Sequence, residues 1–239
     1  MNKEEFIIKL KELGIIPSDK QLKQLEIYCQ FLLEYNTHTN LTAIKEEDQV
    51  YLKHFYDSLT FTKAIDLTKY NNLLDVGTGA GFPGMVLKIF YPELEITLLD
   101  SNNKKINFLK ELTQKLELTK VNFYHGRAEE FCQEKREKFD IVTARAVSNL
   151  SVLSELCLPL TKINGYFIPL KGSNYEELTS ADYCIKTLGG KIENKITFTL
   201  PKEESVRNIL IIKKIMPTPQ QYPRRYEKII NKPLKNNAK

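Results

Sequence analysis

No apolar run in the 239 residues approaches the ~20 that a membrane span needs, so no membrane partner is expected. The chain opens Met1-Asn2-Lys3-Glu4-Glu5 and passes straight into an amphipathic pattern. No signal peptide is visible in that start. There are only four cysteines, Cys29, Cys132, Cys157 and Cys184, with no Cys-x-x-Cys pair among them. Their wide spacing predicts buried, reduced thiols rather than a disulfide framework or a thiolate metal site. Three scattered histidines argue against a histidine-built metal centre. An apolar fraction of 42%, with 10 glycines and 10 prolines, excludes fibrous and disordered classes. The length suits one large α/β domain with an appendage.

The net charge of +5 is mild, but its placement is uneven. Residues 201–239 hold 10 Lys+Arg against 3 Asp+Glu, whereas the first 200 residues hold 25 against 27. The surplus therefore lies wholly at the C-terminal end. Two readings stand: a polyanionic partner reached from that end, or a solvated lysine-rich tail that aids solubility.

Residues 1–65 read as a helical extension. Phe6, Ile7, Leu10 and Leu13 share one helical face, and Gly14 with Pro17 ends that helix. Ser18-x-x-Gln21 is a capping-box pattern opening a second helix through Tyr35. A loop is expected at Asn36–Asn40, then a third helix through Phe55 and Leu59. Residues 66–215 change texture. Apolar strand-like runs at 73–76, 95–100, 121–124, 139–143 and 165–170 alternate with helical patterns, the mark of a parallel sheet with helices on both faces. The helix after the fifth run is placed around Tyr175–Leu188. Two further runs, 191–200 and 207–212, are joined too closely for a crossover helix, so they should pair antiparallel. The expected fold is thus a Rossmann-like, mostly parallel seven-stranded sheet with a C-terminal antiparallel hairpin. Residues 216–239 form the basic C-terminal tail.

The strongest motif is Asp75-Val76-Gly77-Thr78-Gly79-Ala80-Gly81, a glycine turn between the first strand and a helix starting at Pro83. Gly77 permits the tight turn, and Gly79 and Gly81 admit a close ligand. Asp100 ends the second strand, 23 residues after Gly77, where an acid can accept from ribose hydroxyls. A dinucleotide fingerprint would place its third glycine at position 82, which is Phe82 here, followed by Pro83. That sequence disfavours a pyrophosphate at the helix N-terminus. The acid at Asp75 suits a cofactor bearing cationic sulfonium and ammonium groups. These features select S-adenosyl-L-methionine over a nicotinamide dinucleotide.

Further along, His125-Gly126-Arg127-Ala128-Glu129 follows the third strand. Ala128 and Glu129 are placed to meet the exocyclic amine of an adenine; a helix N-terminus with favourable acidic charge reads equally well. Arg145 follows the fourth strand, on the same sheet edge as the turn, and reads either as a cofactor or phosphate contact or as a salt bridge. On these grounds the candidate site residues are Asp75, Gly77, Gly79 and Asp100, with Ala128, Glu129 and Arg145 open to either reading. No Asn/Asp-Pro-Pro-aromatic motif follows the fourth strand, Cys157 sits inside a helical run, and no His/Asp pair presents itself as a general base. The acceptor should need no deprotonation. His54 and Asp57, in the helical extension, could lie near the site, although helix packing explains them as well.

Taken together, these motifs resemble the 16S ribosomal RNA guanine-N7 methyltransferases of the RsmG (GidB) family. The resemblance runs through Asn40-Leu41-Thr42-Ala43-Ile44, His54-Phe55-Tyr56-Asp57-Ser58-Leu59, the Asp75–Gly84 segment, His125–Glu129 and Thr143-Ala144-Arg145-Ala146-Val147. Tyr222-Pro223-Arg224-Arg225 is similar to the family's C-terminal motif, but Tyr226-Glu227-Lys228 stands where many members carry a glycine–proline step. The resemblance implies methyl transfer from S-adenosylmethionine to N7 of a guanine in a 16S rRNA loop near the decoding centre. It implies 16S rRNA or the small ribosomal subunit as partner, and Gly77, Phe82, Ala128, Glu129 and Arg145 as cofactor contacts. A small-molecule methyltransferase and a non-catalytic RNA-binding or assembly factor are the competing readings.

Overall fold

A computed structural model describes residues 1–145, 149–172, 176–203 and 205–235, with no side-chain description for 176–180. Ala146 and Val147, Tyr175 and the last residues of the basic tail, 236–239, lie outside the described residues.

Three helical pieces precede the sheet. Helix α1 (Lys3–Glu12) starts from a capping box on Asn2, and Gly14, at φ 75°, turns the chain out of it. Helix α2 (Asp19–Thr39) opens on the predicted box, with Ser18 accepting from the Gln21 amide and Gln21 from the Ser18 amide. The expected loop at Asn36–Asn40 is one turn too early, because the helix runs to Thr39. Asn40 then ends it in a left-handed conformation, φ 51°. No Gly or Pro lies between Tyr35 and Asn40, and the Asn36 amide clamps both the N–H and the carbonyl of Thr42. The third helical run is α3 (Glu47–Val50), a π-helical stretch (Tyr51–Tyr56) and α4 (Asp57–Leu59). Such local widening recurs at functional sites.

The sheet follows: β1 (Asn72–Val76), α5 (Gly84–Phe90), β2 (Glu95–Asp100), α6 (Asn103–Lys115), β3 (Val121–His125), α7 (Ala128–Lys135), β4 (Phe139–Arg145), α8 (Leu150–Cys157), β5 (Thr161–Lys171), α9 (Glu176–Thr187), β6 (Gly190–Thr199) and β7 (Val206–Lys214). The strand order is β3-β2-β1-β4-β5-β7-β6. The first five strands are parallel. β7 inserts antiparallel between β5 and β6, with Phe167 opposite Ile212 and Ile209 opposite Ile196. The seven-stranded sheet and its closing hairpin are those expected; the hairpin's second strand goes to the inside. Burial explains that order. β7 carries the apolar run Ile209–Ile212, buried throughout, whereas β6 alternates with polar residues and takes the exposed edge.

One face of the sheet packs on α5 and α6, with α1 and α2 stacked outside through Phe6, Leu10, Leu25 and Leu32. The other face packs on α7, α8 and α9. All four cysteines are free and buried. Among the described residues, no helix is long and apolar enough to cross a membrane.

The C-terminal segment is fastened to this second face. Arg136 donates to the carbonyls of Thr218 and Tyr222, both at 2.7 Å. Arg224 makes a two-pronged pair with Glu155, which is fully buried in α8 (Nε to Oε1 2.7 Å, one terminal nitrogen to Oε2 2.6 Å). The chain ends the fold in α10 (Tyr226–Asn231), whose Ile229 is fully buried in the same cluster. Removing one partner of such a pair strands a charge. Arg224→Ala is therefore expected to lower the unfolding free energy by about 3 kcal/mol in urea titrations. Arg224→Met combined with Glu155→Leu should recover most of that loss.

Candidate cofactor cleft and cation cluster

Asp75 is the penultimate residue of β1 and is fully buried. Its Oδ2 accepts from the Thr78 hydroxyl at 2.7 Å and from the Gly84 amide at 2.9 Å, tying the turn to the first residue of α5. Burial pushes its carboxyl up to about 6, against these two hydrogen bonds and the Arg145 charge, which act the other way. Gly77, Gly79 and Gly81 have φ of 68°, 62° and 98°, values that favour glycine. At Gly81 a Cβ would also lie 2.7 Å from the Tyr28 hydroxyl and from Met85 Cγ.

Five amides from Gly77 to Phe82 are engaged by the turn itself or by the end of β2. Gly77 and Thr78 donate to the Leu99 carbonyl, Gly81 and Phe82 to the Thr78 carbonyl, and Gly79 to Asp100 Oδ2 at 2.9 Å. These amides are not aimed outward as a pyrophosphate cradle requires, which agrees with the sequence-based exclusion of a dinucleotide. Asp100 is itself fixed, its Oδ1 accepting from the Asn102 amide at 2.9 Å and its Oδ2 lying 3.8 Å from Lys105 Nζ.

A cleft of about 220 Å³ opens beside the turn at the carboxyl ends of β1, β2 and β3. Gly77, Asp100, Ala128 and Glu129 line it, so four of the eight candidate residues meet there. Asp75 and Gly79 stand behind it and shape the turn. One wall is apolar, from Val152, Leu153 and Leu156 of α8. Glu129 presents a buried Oε2 with no hydrogen-bond partner. Burial raises its carboxyl pKa, while its own backbone amide and that of Tyr226 pull the other way. An acid for ribose hydroxyls, an unsatisfied carboxylate oxygen for an exocyclic amine and an apolar wall for a ring form a donor and acceptor set that fits an adenosine moiety.

Phe82 and Arg145 do not line this cleft. They build a second constellation on the other side of the turn. Phe82 stacks nearly parallel on Tyr28 (centroids 5.3 Å, 8°) and on His54 (4.2 Å, 14°). Arg145 lies over the Phe82 ring at 5.1 Å. It donates to the Lys53 carbonyl at 3.2 Å and approaches Asp57 Oδ2 at 3.5 Å. Arg207 of β7 completes the group, its Nε 3.1 Å from Asp57 Oδ1. His54 and Asp57, weighed as neighbours of the site from sequence, are both here. Nothing in the sequence marks Arg207 or Tyr28 as a site residue; the sheet order brings in the one and α2 packing the other.

Hydrogen-bond logic fixes the state of His54. Arg145 has only donors, so the imidazole Nδ1, 3.3 Å away, must accept. Nε2 then carries the proton and donates to Thr42 Oγ1 at 2.9 Å. Burial, reinforced by the Arg145 charge, depresses the His54 pKa from 6.5 to about 3.

Two outcomes follow from this geometry. Gly81→Ala, crowded and at positive φ, should lose about 2 kcal/mol of stability in denaturant titration. For His54 the unfolded chain binds a proton below pH 6.5 that the folded chain refuses until about 3. Its contribution is thus whole above 6.5 and falls as the pH drops toward 3. Asp75, raised to about 6, acts in the opposite sense between 3.8 and 6, so the test is a difference. The stability gap between wild type and His54→Gln should be largest above pH 6.5 and shrink toward pH 4. A gap independent of pH would disprove the depressed His54 pKa.

The chain is similar to known proteins. The family described as rRNA small subunit methyltransferase G (GidB) matches residues 21–206. Proteins named ribosomal RNA small subunit methyltransferase G from Bacillus velezensis and Bacillus subtilis are 54% and 53% identical over 228 residues, covering 94% of this chain and 95% of each relative. The Listeria monocytogenes protein of that name is 52% identical, covering 94% of this chain and 96% of its own length. Among solved structures, a SAM-dependent methyltransferase from Aquifex aeolicus superposes with a TM-score of 0.51 at 18% identity, over 72% of this chain and 96% of that one. The Bacillus subtilis YcgJ protein gives 0.51 at 16% identity, over 68% and 100%. Those two likenesses establish the fold; the sequence relatives establish the lineage, and this chain belongs to the rRNA small subunit methyltransferase G family.

Proposed function

We propose that this chain methylates N7 of a guanine in a 16S rRNA loop near the decoding centre, acting in the cytoplasm on the RNA or on the small subunit. It is a methyltransferase, and S-adenosylmethionine is its methyl donor. The observation that carries the reading is the cleft beside the glycine turn, which offers Asp100 and Glu129 to an adenosine and whose turn amides are turned inward. The names of the relatives support ribosomal RNA as substrate. The guanine N7 and the decoding-centre loop rest on the family resemblance. That lineage weighs against the small-molecule and non-catalytic alternatives.

When bound, S-adenosylmethionine supplies an electrophilic methyl group on a cationic sulfur. Gly77, Asp100, Ala128 and Glu129 hold it in this reading, with Asp75 and Gly79 fixing the turn and Phe82 and Arg145 flanking it. Guanine N7 is a lone pair without a proton, so no general base is required. The cation cluster supplies none of any strength: His54 is a poor base at neutral pH, and Nε2, its protonated nitrogen, is committed to Thr42. The protein's part is position and orientation, which can lower a barrier by about 7–11 kcal/mol. N7 lies on the major-groove edge, deep and narrow in an RNA helix, so the target base must be unpaired or splayed from a loop. Arg145 and Arg207, held around Asp57, supply positive charge beside the turn for that loop's backbone.

The decisive measurement is mass-spectrometric mapping of nucleosides in 16S rRNA from cells with and without this protein. Loss of one N7-methylguanosine on deletion is expected. Persistence of every N7-methylguanosine would refute the reading. In vitro, Arg145→Ala should cut methyl incorporation at least about tenfold; undiminished labelling would remove Arg145 from the site.

A further inference from the structure

The C-terminal segment reaches the cleft. Tyr226, the first residue of α10, lines it alongside Val152, Leu153 and Leu156. The Arg127 guanidinium lies over the Tyr226 ring at 4.3 Å, so the ring is held on the cleft side of α7. Its approach is built rather than incidental. Arg136 grips the carbonyls of Thr218 and Tyr222, and Arg224 is locked to buried Glu155 two residues before the ring. Ile229, three residues after it, is fully buried. The ring is therefore anchored on both sides in sequence. Next to it, the Glu129 carboxylate keeps one buried, unpartnered oxygen.

We propose that the C-terminal segment is a structural part of the cofactor cleft, and that Tyr226 is the aromatic wall against which a flat, aminated heterocycle is seated while Glu129 receives its amine. This rests on the cleft being the adenosine site. An aromatic ring beside a polar acceptor recognises a planar base by face or edge contact, an interaction added to simple area burial. It follows that the basic tail does not serve the reaction by charge alone: its Arg224 is spent on docking the wall, and the wall acts on the cofactor end of the reaction.

Isothermal titration of the full chain with S-adenosylmethionine, S-adenosylhomocysteine and adenosine tests this. Tyr226→Ala should weaken all three by a similar factor, about five- to tenfold, because the lost contact is to the part they share. Tyr226→Phe should keep wild-type affinities. Tyr226→Leu, which retains apolar bulk without the ring, should weaken binding with an unchanged melting temperature of the ligand-free chain, separating recognition from folding. Unchanged or tighter binding by Tyr226→Ala, or weakening confined to the two methionine-derived ligands, would overturn the inference and leave the cofactor reading intact. A wild-type chain that binds none of the three would overturn both.

Discussion

One buried carboxylate holds the site together. Asp75, the penultimate residue of β1, ties the glycine turn to the helix after it, through the Thr78 hydroxyl and the Gly84 amide. With the turn clamped at these points, its amides face inward and Gly81 tucks beneath the Tyr28 hydroxyl. Every later feature takes its place from that shape. Asp100 is positioned by the Gly79 amide, the cleft opens on one side of the turn, and Phe82 leaves on the other to meet Tyr28 and His54.

The two sides of the turn divide the chemistry. On the cleft side are acceptors and an apolar wall, suited to a polar, flat ligand. On the Phe82 side are guanidiniums arranged around Asp57. Arg145 from β4, Lys53, His54 and Asp57 from the third helical run and Arg207 from β7 converge there. The N-terminal helices and the C-terminal hairpin, remote in sequence, thus meet at one sheet edge. Partly burying two guanidiniums costs desolvation, and the shared carboxylate offsets it.

The charge surplus of the C-terminal stretch has a different meaning in three dimensions. Lys214 is fully buried, pairs with Glu137 at 3.1 Å and donates to the Thr218 hydroxyl. Burial pulls its pKa down to about 8. Arg207 and Arg224 are likewise committed to acids, Asp57 and Glu155. Much of what reads as a polyanion-binding tail in composition is internal fastening.

Sequence by itself determined the elements and the turn. The apolar runs, the Ser18–Gln21 box and the glycine spacing are local patterns, and local hydrogen bonding and backbone sterics set their outcome. Phe82 and Pro83 already spoke against a dinucleotide because that exclusion depends only on neighbours in the chain. Tertiary structure alone decided which distant side chains share a space. The helix through Asn36–Thr39 outran its expected end because Asn36 is tied to Thr42, and no periodicity reports such a tie. In sequence Arg145 is open to a ligand contact or an ion pair, and the fold gives it Asp57, His54 and Lys53 as neighbours. Arg207 reaches the cation cluster only because β7 pairs between β5 and β6, and Tyr226 reaches the cleft only because the Arg224–Glu155 pair draws the chain end across α8. Such pairings depend on sheet order and burial, which a one-dimensional pattern does not contain.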